Sequence, residues 1–223
     1  MNTLKLEAYN TIKERIIQCE YPPNCLLNEE WLKEELRISR TPIRDALSRL
    51  EQESLIQILP RRGIMVKGVS PDEVEQVFEM RMLIEPYSLK KYGQIIDKEI
   101  FRGMEASFSL NPEETLNDVI HKGDDEFHHL FINASKNVYI IEAYKSVYNQ
   151  NIRLRILSGN LGKDRMLQSQ KEHRAITRHC LKGNWDQAAI LLGEHLVKSK
   201  EASYNAINNI QILLRRQGKH SPH

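Results

Sequence analysis

Four side chains in the second half of the chain have the types and spacing to hold a divalent ion. Asp124 and His128, in GDDEFHHLF, are four residues apart and share one face of a helix. His173, in EHRAI, and His195, in GEHLVKS, follow 22 residues apart on what read as two further helices. Three imidazoles and a carboxylate on three neighbouring helices could close around one ion. These donor types suit zinc, and also nickel, manganese or iron. An Asp-x-x-x-His on a helix is usually a surface pair, and His121, His129 and His179 show that histidine is common here. His129 lies about 100° around the helix from His128 and is expected to face elsewhere. His121 lies seven residues before His128, shares its face and is a weaker rival.

A second constellation lies near the N-terminus. In SRTPIRDALSRL, Ser39 to Leu50, Arg40 and Arg44 are four residues apart at the start of an apolar-periodic segment. A helix that enters a DNA groove by its N-terminal end presents such residues to base edges. Arginine suits guanine O6 and N7 in a bidentate contact. Thr41 can cap the helix or bond a phosphate, and Pro42 fits a first turn, where a missing N–H costs little. Arg61 and Arg62, beside Gly63 in PRRG, read as the tip of a hairpin that could reach a minor groove. Residues 36–67 carry seven basic and three acidic side chains, whereas residues 1–67 carry 11 and 10. The basic excess thus lies on the helix and hairpin, as a DNA contact surface requires. A solvated basic helix with an ordinary cap is the alternative.

The elements that must carry these residues follow from periodicity. Leu4 to Cys19 reads as a helix with Ala8, Ile12 and Ile16 on one face, ended by YPPN. Asn28 offers an N-cap, with Glu29 and Glu30 in the first turn of a helix that runs to about Leu36. The arginine-bearing helix begins near Ser39 or Thr41 and buries Ile43, Ala46, Leu47 and Leu50. LIQIL (55–59) and IMV (64–66), joined by PRRG, read as a β hairpin. Helix, helix, turn, helix, hairpin is a winged helix-turn-helix. Ser70-Pro71-Asp72-Glu73 is a capping box that opens a new region. Beyond it helices are expected over 71–95, 97–108, 112–134, 138–158, 164–181 and 185–215, with another start at Asn111-Pro112-Glu113-Glu114. The fold class is mainly α: a winged-helix domain (1–68), an all-helical bundle (69–215) and a disordered tail (216–223).

Composition agrees. The 223 residues are 40% hydrophobic and 28% charged with a net charge of +2, too little for a protein that coats nucleic acid by charge alone. Cys19, Cys25 and Cys180 lack metal-ligand spacing, and an odd count fits a reducing cytosol. With no apolar leader and no run near ~18 apolar residues, the expectation is a cytoplasmic protein with no membrane segment.

Residues 9–66 resemble the winged-helix domain of the GntR family of bacterial transcription regulators, most specifically in SRTPIRDALSRLE followed by PRRG. The resemblance implies that Arg40, Thr41, Pro42 and Arg44 hold operator-contacting positions and Gly63 the wing tip. Asn24 stands where the family has Gly, and Arg37 and Ser54 where it often does. Glu30 stands where a DNA-contacting arginine is common. Residues 72–200 resemble the FCD effector domain of the FadR-like branch. The matching residues are Asp124, Phe127 and His128, then Ala134, Ser135 and Asn137, then Glu172, His173 and Ile176, then His195 and Ser199; RMLIEP (81–86) resembles its first helix. That resemblance implies a divalent metal, with zinc foremost, on Asp124, His128, His173 and His195, and a small organic acid effector at or beside it.

Arg81, Asn149 and Arg153 are candidate effector contacts; interhelical polar contacts explain them equally well. The expectation is a ligand-responsive, metal-containing regulator. It would repress from a palindromic site in double-stranded DNA as a homodimer, and it would not be an enzyme. Two alternatives stay open: a metal-dependent hydrolase or lyase fused to a DNA-binding module, with Glu172 as general base, and a sensor of the metal itself.

Overall fold

A computed structural model describes residues 3–109, 117–157 and 162–218. The helix start expected at 111–114 and the last residues of the expected tail, 219–223, lie outside the described residues. The chain divides into two compact units: residues up to Ser70 together with Asn149–Leu157, and the remainder.

In the first unit, α1 (Thr3–Ile17), α2 (Glu29–Leu36) and α3 (Arg40–Gln52) precede a three-stranded antiparallel sheet. Its strands are β1 (Leu26–Leu27), β2 (Ile56–Leu59) and β3 (Gly63–Val66), in the order β1-β3-β2. Asn28 caps α2, its side chain accepting from the Trp31 N–H (2.7 Å). Ser39, not Thr41, is the N-cap residue of α3. Ala8, Ile12, Ile16, Leu32, Ile43, Leu47, Leu50, Ile56 and Val66 close one core. Strand β1 was not expected, since two residues carry no alternation to read; it pairs Leu26 with Met65 and Leu27 with Ile64. At the wing, Gly63 has φ +111°, and a Cβ there would stand 2.7 Å from the Leu27 carbonyl oxygen. This turn therefore needs glycine.

The second unit is built from α4 (Pro71–Tyr92), α5 (Lys98–Ser107), α6 (Asn117–Ala134), α7 (Val138–Leu157, up to Tyr148), α8 (Gly162–Leu181) and α9 (Trp185–Gly218). The helix expected over 71–95 instead ends at Tyr92 and tightens into a 3-10 turn at Gly93–Ile95. Gly93 lets the Trp185 ring approach where a Cβ would stand 2.7 Å from it. Helix α9 runs to Gly218, past the expected limit of 215. Helices α4 and α9 pack antiparallel: Lys90 pairs with Asp186 at one end, and Lys200 pairs with Glu75 at the other. Leu89, Phe101, Phe127, Phe131, Ile176, Ala188, Leu192 and Leu196 form the core. Among the described residues, no helix is long and apolar enough to cross a membrane.

Candidate metal centre and nucleic-acid interface

Helix α6 contributes His128, α8 His173 and α9 His195, and all three are buried. Their ligand-capable nitrogens lie within 4.8 Å of one another. His173 Nε2 and His195 Nε2 are 3.2 Å apart. Two imidazoles bound tetrahedrally to one zinc at about 2.0–2.1 Å would stand ~3.3 Å apart, so the donor set fits a shared ion. Asp124 lies at the margin. Its Oδ1 is 3.6 Å from His173 Nδ1, and it is not within the set that converges at 4.8 Å.

Each of two histidines is oriented by a carboxylate. His128 Nδ1 bonds Glu85 Oε2 at 2.7 Å, and His195 Nδ1 bonds Glu172 Oε2 at 2.8 Å. With Nδ1 donating, Nε2 is left as the lone-pair nitrogen, which is how proteins fix an imidazole ligand. Glu85, fully buried on α4, also accepts from Arg81 Nε (2.6 Å) and the Tyr144 hydroxyl of α7 (3.0 Å). Burial opposes its charge, but the Arg81 guanidinium and His128 outweigh that and hold its carboxyl well below the usual range. Glu172 also takes Arg165 Nη1 (3.0 Å), while Arg165 Nη2 donates to Ser199 Oγ (2.7 Å). Burial again opposes ionisation, and the bonds from His195 and Gln168 prevail. Burial pushes His173 well below the usual imidazole value and His195 down to about 4, so both keep a lone pair at neutral pH. Phe127 and Phe108 close one side against the His173 ring, at centroid separations of 4.4 and 5.2 Å.

The rivals separate from this set. His129 turns to α7, bonding the Asp125 carbonyl and lying edge-on to Tyr148 (4.1 Å). The His121 side chain lies outside the described residues. Arg81 is not poised for an anion by itself: it is buried and engaged by Glu85. Arg153 is also engaged within the chain. It belongs to the unit of the winged helix, and its guanidinium bonds Gln150 Oε1 (2.8 Å) and the Lys67 carbonyl. Asn149 belongs to that unit too. The burial of Arg153, with one side-chain and one backbone partner, fits the alternative reading of it as an interhelical polar contact. Glu172, considered as a general base, is occupied in orienting His195. The sequence reading missed Glu85 and Arg165. The i, i+4 pair Arg81–Glu85 in RMLIEP could have drawn attention to the first.

In the first unit Arg40, Thr41 and Arg44 lie exposed at the start of α3, and Arg61 and Arg62 lie exposed at the wing tip. Pro42 is different: it is buried with the apolar face of α3, so it shapes the helix start and does not face outward. Glu30 Oε2 accepts from Arg40 Nε (3.2 Å) and Nη2. Glu29 accepts from Arg44 Nε at 2.8 and 3.1 Å.

Comparison with known proteins agrees with both halves. Residues 4–66 match the bacterial regulatory proteins of the gntR family, and residues 76–198 match the FCD domain. An HTH-type transcriptional regulator of Agrobacterium vitis is 31% identical over 40% of this chain, a match that spans 52% of that protein. The HTH-type transcriptional regulator YdhC of Bacillus subtilis is 26% identical over 82% of this chain and 83% of its own. Among solved structures, McbR/YncC of E. coli covers 92% of this chain and 99% of its own, with a TM-score of 0.76 at 15% identity. The Zn2+-bound FCD domain of TM0439 covers 64% of this chain and 97% of its own, with a TM-score of 0.51 at 21% identity. The two sequence relatives are named as HTH-type transcriptional regulators, which with the two family matches points to a DNA-binding regulator and away from the hydrolase or lyase alternative. The chain belongs to the GntR family of bacterial regulatory proteins and is a transcriptional regulator that joins a winged helix-turn-helix to an FCD domain.

Proposed function

We propose that the protein is a cytoplasmic, homodimeric repressor whose FCD domain binds a divalent metal, zinc foremost, and a small organic acid. The observation that carries this reading is the convergence of His128, His173 and His195 from three helices, two of them fixed by buried carboxylates. Three neutral imidazoles would leave the charge of a bound divalent ion largely uncompensated, which favours an anionic ligand at its open positions. Asp124, at the margin of the cluster, is the residue that supplies or yields a fourth position. Arg40, Thr41, Arg44, Arg61 and Arg62 face the operator. Two such surfaces related by a two-fold axis read a palindrome.

Signal transfer has a route within the FCD domain. Whatever shifts His128 is felt by Glu85, hence by Arg81 and Tyr144, and so by α4. Helix α4 begins directly after the wing, with residues 67–70 between it and β3. An effector changes DNA affinity only as far as it prefers one packing of these helices over another.

The test is elemental analysis of purified protein, wild type beside His195→Ala. The wild type should carry about one divalent ion per chain, and the variant should lose most of it while remaining folded. Full occupancy in the variant would remove the site. Thermal shift with small carboxylic acids, in the metal-loaded protein, then identifies the ligand class, since a ligand of the folded state raises the melting temperature. Release from operator DNA by metal alone would favour the direct metal sensor.

A further inference from the structure

The two arginines at the tip of α3 are not loose. Glu30 grips Arg40 along its Nε/Nη2 side, and Glu29 grips Arg44 at Nε with both oxygens. Nη1 of Arg40 and both Nη atoms of Arg44 take no partner among the described residues. Glu30 is itself fixed from the other side, where Lys33 of the same helix donates to its Oε1. Both oxygens of Glu30 are therefore in use, which argues against its reading a cytosine amino group directly.

We propose that Glu29 and Glu30 are positioning residues for base recognition: each carboxylate holds the inner side of one guanidinium so that the outer Nη edge is aimed at guanine. The proposal rests on the assignment of Arg40 and Arg44 as base-reading residues. A guanidinium offers five N–H donors in a rigid fork, and one edge can serve a carboxylate while another serves guanine O6 and N7. Held this way the side chain gives up less rotamer freedom on binding, and its charge is partly neutralised. Glu29, Glu30, Lys33, Arg40 and Arg44 together carry a net charge of +1. Phosphate attraction at the tip is correspondingly weak, so binding there depends on a matching base edge more than on charge.

The test uses the full chain and a randomised DNA duplex library, from which wild type, Arg40→Ala, Arg44→Ala, Glu29→Gln and Glu30→Gln each select sites. Melting curves confirm that the folds are equal. Glu30→Gln should lose base preference, by about fivefold or more, at the same positions as Arg40→Ala, and Glu29→Gln at those of Arg44→Ala. Both Gln variants should bind random duplex more tightly and with a steeper salt dependence. If the Gln variants keep wild-type preference at positions the Ala variants lose, the positioning role is overturned. The same holds if they gain equally on selected and random DNA. If the Ala variants lose no preference anywhere, it is the base-reading assignment that fails.

Discussion

Asn24, Arg37 and Ser54 each have a left-handed backbone, with φ of 64°, 56° and 60°. These are the three positions where the winged-helix resemblance leads one to expect glycine. A non-glycine residue there costs roughly 1–2 kcal/mol, less for Asn, whereas glycine costs about 0.5–1 kcal/mol in chain entropy. Arg37 is the C-cap of α2 and Ser54 follows α3, and both are exposed. Arg37→Gly and Ser54→Gly should therefore each stabilise the winged-helix unit by about 0.5 kcal/mol, and Asn24→Gly by little. Urea melts of the three variants read this directly, and a loss at Arg37→Gly would show that its side chain does more than turn the chain. The opposite sign applies at Glu85. Its removal would leave Arg81, with 5% of its side chain exposed, as a buried cation without its carboxylate. Glu85→Ala should cost about 3–5 kcal/mol, and Glu85→Gln less, because the amide still accepts one bond. A melt unchanged by Glu85→Ala would mean that water or another carboxylate takes its place.

At the scale of elements, what could be read in advance was what repeats locally. Helices α1, α2 and α3 announced themselves by apolar spacing and by Asn28, and the hairpin by two apolar runs around PRRG. The bundle helices were legible within a few residues for the same reason. Strand β1 was not, because its identity lies in its partner β3 and not in its own two residues. The site shows the same division. His128, His173 and His195 could be named because histidine is a ligand type and their helices were legible. Glu85 and Arg165 could not, because a carboxylate or guanidinium becomes an orienting group only once packing sets it beside an imidazole. Arg153 shows the same limit: its spacing with Asn149 was legible, but its bonds to Lys67 and Gln150 were not. The dependence of β1 on β3 also gives a prediction. A Cβ on Gly63 must displace the Leu27 carbonyl and strain a φ of +111°. Gly63→Ala should destabilise the sheet by about 1–3 kcal/mol. Hydrogen exchange should speed up at Val66, whose N–H bonds the Cys25 carbonyl, and at Asn24, whose N–H bonds the Val66 carbonyl, before it does in α1. Uniform acceleration over the whole unit would instead mean that the wing unfolds only with its core.

At the scale of the molecule, the FCD unit carries apolar side chains that its own core does not cover. On α4, Met80, Leu83 (65% exposed) and Tyr87 follow one another at three and four residues. On α9, its antiparallel neighbour, Ile190 (55%), Val197 and Tyr204 recur every seven. Both spacings put the residues on one face of their helix. Scattered exposed apolar residues are ordinary, but two rows on adjacent helices are the composition of an interface. The partner that fits the proposed function is a second copy, because a palindrome needs two recognition helices held by one two-fold axis. A charge on each row then separates assembly from folding. Leu83→Glu combined with Val197→Glu leaves the buried core untouched, so helical content and bound metal should stay at wild-type levels. Light scattering after gel filtration should show the wild type at twice the chain mass and the double variant at one. Operator affinity should fall by about a hundredfold or more, since the second half-site no longer binds as part of the same particle. A double variant that stays dimeric would move the interface to other helices, and one that binds the operator fully as a monomer would remove the need for the two-fold axis.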